Sequence, residues 1–357
     1  MTDERIENVH VFCEESLLTP EQLKETFPLS EKAVATVMKG QRTIKEILTR
    51  RDHRLFAVVG PCSIHDVDAA SEYASRLQAL AEELQDTLFL VMRVYFEKPR
   101  TRVGWQGLLN DPDLDGSGRI EEGLRLGRKL LLELAERGLP AAGEALDLVS
   151  PQYVQDLISW TAIGARTTES QTHRKMASGF TSAVGFKNGT GGDIDVAIDA
   201  MFSAAHRNHF LSVDPSGRVS VIRTKGNPHT HLVLRGGSAT SNYDAESIGR
   251  CEHRLRAAGL RENIMVDCSH DNSQRDPAKQ LMVLEEVRRQ IEQGNRSIVA
   301  VMLESHLEWG NQPIQQNPKE LSYGVSVTDP CIDWKTTERA LRDARRRLVT
   351  VLPSRMT

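Results

Sequence analysis

The chain contains no apolar run approaching the roughly 18 residues that a membrane span requires, and its opening stretch, MTDERIENVH, has no apolar signal core. Both absences argue for a cytoplasmic chain with no membrane partner. The five cysteines, Cys13, Cys62, Cys251, Cys268 and Cys331, are odd in number and form no CxxC pair. That pattern speaks against a disulfide framework or a structural zinc site and fits a reducing compartment. Charge of one sign is also lacking. A net charge of -4 over 357 residues gives no bulk field that would draw nucleic acid. There is no internal repeat, low-complexity tract or interdomain linker. What remains, 39% apolar and 26% charged residues, is the composition of a globular enzyme.

Short runs rich in Val, Ile, Leu or Phe recur from residue 55 onward, at 55–60, 88–94, 142–147, 162–166, 183–188, 231–236, 263–269 and 297–304. Amphipathic stretches such as ASEYASRLQALAEELQ and QLMVLEEVRRQIEQG lie between most of them. Eight such alternations predict an α/β fold of the (β/α)8 TIM-barrel type over residues 51–352. Residues 1–50 read as an N-terminal extension with helical and strand segments, suited to oligomerisation or regulation. Within it Thr19-Pro20-Glu21 starts one helix and Ser30 caps another, whose apolar stripe is Val34, Val37, Met38, Ile44, Ile47 and Leu48. Residues 209–226, two β-like runs around Asp214-Pro215-Ser216-Gly217, predict a hairpin inserted before the sixth barrel strand.

The chemistry sits where the runs end. Arg93, Arg166, Lys187 and Arg235 close apolar runs, and Lys98 and Arg100 follow one in the segment EKPRT. A solvated face with snorkelling stems explains clusters such as RRDHR at 50–54 and RDARRR at 342–347. It explains cations at the ends of buried strands less well. Arginine forks match phosphate and carboxylate, and several cations at one rim would repel one another without an anionic ligand, best one carrying two anionic groups. Cys62, His270, Glu304 and Asp329 fall near the ends of the first, seventh and eighth strands and in the loop after the eighth. Those strands adjoin in a closed barrel, so the four side chains can converge on one divalent ion. A mixed sulfur, nitrogen and oxygen set suits Mn, Fe, Co or Zn but not Ca. Asp267, His306 and Glu308 remain alternative donors. Cys331, two residues past Asp329, is expected near Cys62, so a metal-free chain is expected to form a Cys62–Cys331 disulfide.

The segments GPCSIHD (60–66), MRVYFEKPRT (92–101), IGARTTESQ (163–171), GFKNGT (185–190), LRGG (234–237), SHDNS (269–273), ESHLEWGNQ (304–312) and TDPCIDW (328–334) together resemble class I, aromatic-amino-acid-regulated 3-deoxy-D-arabino-heptulosonate 7-phosphate (DAHP) synthase. The likeness covers nearly the whole chain. It implies a metal-dependent transferase that condenses phosphoenolpyruvate with erythrose 4-phosphate in the first step of the shikimate pathway. It also implies a homo-oligomer, dimer or tetramer. By resemblance the metal ligands are Cys62, His270, Glu304 and Asp329. Arg93, Lys98, Arg166, Lys187 and Arg235 would bind phosphoenolpyruvate, while Arg100 and Thr101 would contact erythrose 4-phosphate. Lys98, His270 and Cys62 are the candidates closest to the chemistry, Lys98 as a proton donor if burial and its Arg neighbours depress its pKa.

The resemblance places a feedback site for an aromatic amino acid at Asp3, Pro151, Gln152, Thr181 and Ser212. Serine at 212 leans toward phenylalanine or tryptophan rather than tyrosine as the effector, and Phe180-Thr181 departs from the commoner Leu-Ser pair. The rival reading is 3-deoxy-octulosonate 8-phosphate synthase, acting on arabinose 5-phosphate. The long N-terminal extension and the KPRT turn favour the four-carbon acceptor.

Overall fold

A computed structural model describes residues 6, 8–100, 102–315 and 317–356; Asp3 and Thr101 therefore lie outside the described residues. Two helices come first, α1 (Pro20–Thr26) and α2 (Glu31–Leu48). Thr19 caps α1 in a reciprocal box with Gln22, and Ser30 caps α2 by accepting from the Ala33 amide at 3.1 Å. The alternating part then runs β1 (Leu55–Gly60), α3 (Val67–Leu84), β2 (Leu88–Arg93), α4 (Ile120–Arg137), β3 (Ala141–Glu144), α5 (Pro151–Val154), β4 (Ile158–Ile163), α6 (Gln171–Ala177), β5 (Ala183–Lys187) and α7 (Asp195–Ala205). A hairpin, β6 (His209–Val213) with β7 (Val219–Arg223), precedes β8 (Thr230–Leu234), α8 (Ala245–Ala257), β9 (Ile264–Asp267), α9 (Lys279–Glu292), β10 (Ile298–Glu304) and α10 (Trp334–Leu348). No helix among the described residues is long and apolar enough to cross a membrane.

Eight strands close into one parallel barrel, in the order β1-β10-β9-β8-β5-β4-β3-β2, while β6 and β7 form a separate antiparallel pair. The expected alternation is thus present, with differences of detail. Among the described residues the extension carries helices and no strand. The fourth barrel strand lies earlier than 162–166, because the Gly164 carbonyl accepts from the Thr167 and Thr168 amides at 3.1 and 2.9 Å and turns the chain. Arg166 therefore sits in that turn. The strand itself, ISWTAI, is disguised by Ser159 and Thr161, of which Thr161 finds partners inside: Gln155 Nε2 donates to Thr161 Oγ1 at 2.9 Å, and Thr161 and Ser182 share a hydrogen bond of 2.7 Å.

The barrel interior is filled by Phe56, Val58, Val91, Trp160, Val233, Met265 and Met302. Trp160 Nε1 donates to His231 Nε2 at 2.8 Å, and burial holds His231 down at about 4, so the ring is neutral and can accept. At the base, Ile44, Ile47 and Leu48 of α2 join this interior cluster, a burial of roughly 2 kcal/mol per side chain. The approach is close: a Cβ at Gly40 would lie 2.4 Å from Ser159 Oγ and 2.9 Å from Pro140 Cβ. Of the rest of the predicted stripe, Val37 is buried, while Val34 and Met38 stay exposed. Beside α2, the fully buried Arg128 of α4 ties three segments together. It donates to the Phe27 carbonyl at 3.0 Å, to the Tyr153 carbonyl at 2.9 Å, and in bidentate fashion to Asp156 at 2.9 and 3.0 Å.

Candidate active site

The parallel register brings the strand ends to one rim. Gly60 pairs with Glu304 across β1 and β10, so Cys62, two residues on, stands beside that carboxylate. The loop after β10 folds back through bridges joining Ser305 to Ile332 and Gly310 to Cys331, returning Asp329 to the same corner. Cys62 Sγ and carboxylate oxygens of Glu304 and Asp329 all lie within 4.8 Å of one another. This sulfur and oxygen set suits a borderline divalent ion. His270 stands at the edge of the triad, with Nε2 3.5 Å from Glu304 Oε1. Its backbone adopts a left-handed φ of 56°, and its Nδ1 lies 2.9 Å from Asp267 Oδ2 and 2.8 Å from Ser269 Oγ. Of the alternative donors, Asp267 is buried against Lys187 and His270 rather than in the triad. The His306 ring packs against His65 and Tyr73, and Glu308 is exposed.

The cations surround a cleft of about 400 Å³ lined by Arg93, Lys98, Arg100, Arg166, Lys187 and Arg235, with His270 and Asp329 on its wall. Arg93, though wholly buried, is fully engaged. It donates to the carbonyls of Pro61 and Cys62 at 3.1 and 3.2 Å and to Glu304 at 2.9 Å, and its guanidinium lies 3.5 Å over the Tyr95 ring. Lys187 Nζ is 3.0 Å from Asp267, and Arg235 pairs with Asp271. Arg100 is exposed and donates to the Trp105 carbonyl at 2.7 Å. Four further lining residues, Tyr95, Arg102, Glu144 and Arg275, escaped the sequence reading. Tyr95 and Glu144 sit at or just beyond strand ends and carried the signal used for the others. Arg102 and Arg275 lie in loops and carried none.

Charge sets the protonation states here. Burial alone would raise Glu304, but His270, Arg93 and Lys98 together hold it at about 2. Lys98 Nζ donates to Cys62 Sγ at 2.9 Å. Burial would lower this lysine, yet Cys62, Glu304 and Asp329 outweigh it and raise its pKa. The depression required for Lys98 as a ready proton donor is therefore absent, because the neighbours that dominate are acidic groups rather than arginines.

Next to it, Glu97 is buried and accepts from Ser150 Oγ at 2.9 Å. Burial, with Asp147 and Glu144 adding, pushes it from 4.5 up to about 7. The folded chain thus keeps a proton that the unfolded chain releases between those values. The associated stability is complete below pH 4.5 and lost as pH rises through 7. A Glu97→Gln variant is expected to match the wild type at low pH and to exceed it at pH 8 by up to about 3 kcal/mol. Urea unfolding at both pH values checks this; a constant difference between the two proteins would reject it.

Cys331 is buried, with Cys62 among its neighbours, and both thiols are raised by burial, Cys62 to about 11. Aerobic incubation of the metal-free protein is expected to consume these two thiols together, with loss of activity that dithiothreitol restores. Decay with the free-thiol count unchanged would refute the pairing.

A second cavity, about 470 Å³, opens between α2, α5, α6 and the hairpin, remote from the rim. Pro151, Gln152 and Thr181 line it, beside the exposed Val34 and Met38 of α2. Ser212 is buried on β6, its hydroxyl 3.4 Å from the Leu148 carbonyl, while its neighbour Phe210 faces the cavity.

A closed parallel barrel whose rim joins a metal-type triad to a cation-lined cleft defines a (β/α)8 enzyme built for multiply anionic substrates. Residues 26–342 match the model of the DAHP synthetase I family, and the chain belongs to that family. It is 52% identical over 356 residues, all of both chains, to the Tyr-sensitive phospho-2-dehydro-3-deoxyheptonate aldolase of Escherichia coli strain K12. It is equally 52% identical over 326 residues, 91% of this chain and 93% of the other, to the Phe-sensitive enzyme of the same strain. The solved phospho-2-dehydro-3-deoxyheptonate aldolase of Francisella tularensis SCHU S4 superposes with a TM-score of 0.93 at 46% identity, covering 96% of this chain and 99% of that one.

Proposed function

We propose that this chain is a DAHP synthase, condensing phosphoenolpyruvate with erythrose 4-phosphate, with water adding at C2 of phosphoenolpyruvate, to give DAHP and phosphate. The observation that carries the reading is that six predicted cations line one rim cleft whose wall includes Asp329 of the Cys62–Glu304–Asp329 triad. Arg93, Lys98, Arg166, Lys187 and Arg235 hold the phosphate and carboxylate of phosphoenolpyruvate, and Arg100 with Thr101 holds the aldehyde's phosphate. Cys62, Glu304, Asp329 and the adjoining His270 hold a divalent ion, which when bound supplies Lewis-acid polarisation of the aldehyde. The protein's own share is positioning and electrostatics. The cations fix both anions so that C3 of phosphoenolpyruvate faces the aldehyde carbon, and they stabilise the departing phosphate. Asp267 anchors Lys187 and His270 in place. Arabinose 5-phosphate as acceptor is the less favoured reading, since the relatives are named as heptonate aldolases.

An aromatic amino acid fits the second cavity, where Pro151, Gln152 and Thr181 meet the apolar side chains of α2 and the hairpin. Tyr-sensitive and Phe-sensitive relatives are equally similar, so overall identity does not select the effector. Residues 1–50 and the hairpin supply the surface for a homo-oligomer.

Loss of the ultraviolet absorbance of phosphoenolpyruvate tests the whole reading. Consumption is expected with erythrose 4-phosphate and not with arabinose 5-phosphate. It is expected to stop with chelator, return with manganese, and fall with one aromatic amino acid. Consumption with arabinose 5-phosphate alone would move the chain to the rival reaction.

A further inference from the structure

Opposite the rim, at the strand starts, four arginines gather. Arg50 follows α2 with a left-handed φ of 60°, and its Nη2 donates to the Glu262 carbonyl at 3.1 Å. Arg355, only 8% exposed, donates to the carbonyls of Arg296 (2.8 Å) and Ile298. The Arg296 side chain reaches back to the Ser354 carbonyl at 3.4 Å, and Arg261 adjoins Glu262. The Glu262 carboxylate is already committed to Arg256 at 2.8 and 2.9 Å. Among the described residues, no side-chain carboxylate forms an ion pair with Arg50, Arg261, Arg296 or Arg355.

Many arginines elsewhere on the surface have acidic partners. Arg54 pairs with Asp52, Arg254 with Asp195, Arg342 with Glu83 and Arg345 with Asp86, in a chain where acids outnumber Lys and Arg by 49 to 45. Arg50 and Arg296 repel Arg355, and Arg261 repels Arg50, which Glu262 offsets only in part. Burial, then Arg50 and Arg296, pushes Arg355 down to about 9; burial, then Arg261, pushes Arg50 to about 10. Burial, then Lys45, Arg51 and Arg261, lowers His229 alongside. Backbone carbonyls occupy only part of the Arg50, Arg296 and Arg355 forks, and a buried unpaired charge is expensive.

We infer that the base of the barrel holds a second anion site, in which Arg50, Arg261, Arg296 and Arg355 bind a phosphate group. The chemistry is that of a phosphate dianion, free or borne by a nucleotide, since guanidinium forks converging from four segments match its oxygens. The site lies one barrel length, roughly 20 Å, from the rim cleft. Bound anion would pin the end of α2 and the C-terminal segment to the starts of β9 and β10.

Amide hydrogen exchange on the metal-loaded enzyme, with inorganic phosphate or ADP against sodium chloride at equal ionic strength, separates this site from the rim. Protection is expected in peptides spanning 48–52, 260–264 and 295–298, with both phosphate and ADP if the phosphate group alone is read and with ADP alone if the nucleotide is. A variant carrying R261Q and R296Q, both at exposed positions, is expected to lose that protection and keep the rim's. Protection confined to the rim, or base protection unchanged in the variant, would overturn the proposal. So would base protection that grows with protein concentration and ignores phosphate, since an acidic face of a second copy would then be the occupant.

Discussion

Glu304→Gln is expected to lower kcat/KM on the order of 10³-fold and, separately, to destabilise the metal-free protein by about 3–5 kcal/mol. The two losses share one carboxylate. Glu304 Oε1 lies 2.9 Å from Arg93 Nη2, and the same side chain belongs to the triad with Cys62 and Asp329. Both side chains of the pair are 1% exposed, so the amide, even if its oxygen still accepts, leaves Arg93 a buried cation without its counter-charge, its other acceptors being carbonyls and the Met302 sulfur. Thermal unfolding in chelator reads the ion pair alone, and metal titration reads the ligand. Unchanged unfolding in chelator would mean that Arg93 is satisfied without Glu304 and that the carboxylate matters only to metal.

Asp156→Ala is expected to cost about 3 kcal/mol and to weaken inhibition by the aromatic effector while leaving kcat near the wild-type value. Asp156 supplies both acceptors of the bidentate pair with fully buried Arg128, and it also lines the second cavity. Without it, Arg128 keeps only the Phe27 and Tyr153 carbonyls, and the junction of α1, α4 and α5 loosens. Asp156→Asn retains one acceptor and should fall between. Wild-type melting together with wild-type inhibition in the alanine variant would refute this.

The barrel was legible because its strands are continuous apolar runs that end in residues cores exclude; LFLVMR and IVAVMLE announce both the strand and the functional group at its end. Legibility failed where that contrast weakened. ISWTAI hides its burial behind Ser159 and Thr161, so the fourth strand was read late and Arg166 was placed on it rather than in the turn. The ligand set was legible as types and less so as geometry: Cys62, Glu304 and Asp329 meet, whereas His270 stands beside them, its place set by a left-handed backbone and by Asp267 that no spacing rule encodes. RRDHR was read as a solvated face. Arg54 obeys, paired to Asp52, but Arg50 turns onto the base of the barrel, because whether a surface arginine finds an acid is a tertiary fact.

The plug formed by α2 imposes an order on synthesis. Gly40 is shaped to lie against Ser159 and Pro140, and β1 closes the barrel against β10, some 240 residues further along. At roughly 5–20 residues per second, a ribosome delivers that last strand about 10–50 s after the first. Through that interval LFAVVG lacks β10 on one edge. The nascent edge is therefore open until β10 has emerged, and a truncation that removes β10 should yield a chaperone client rather than a smaller enzyme.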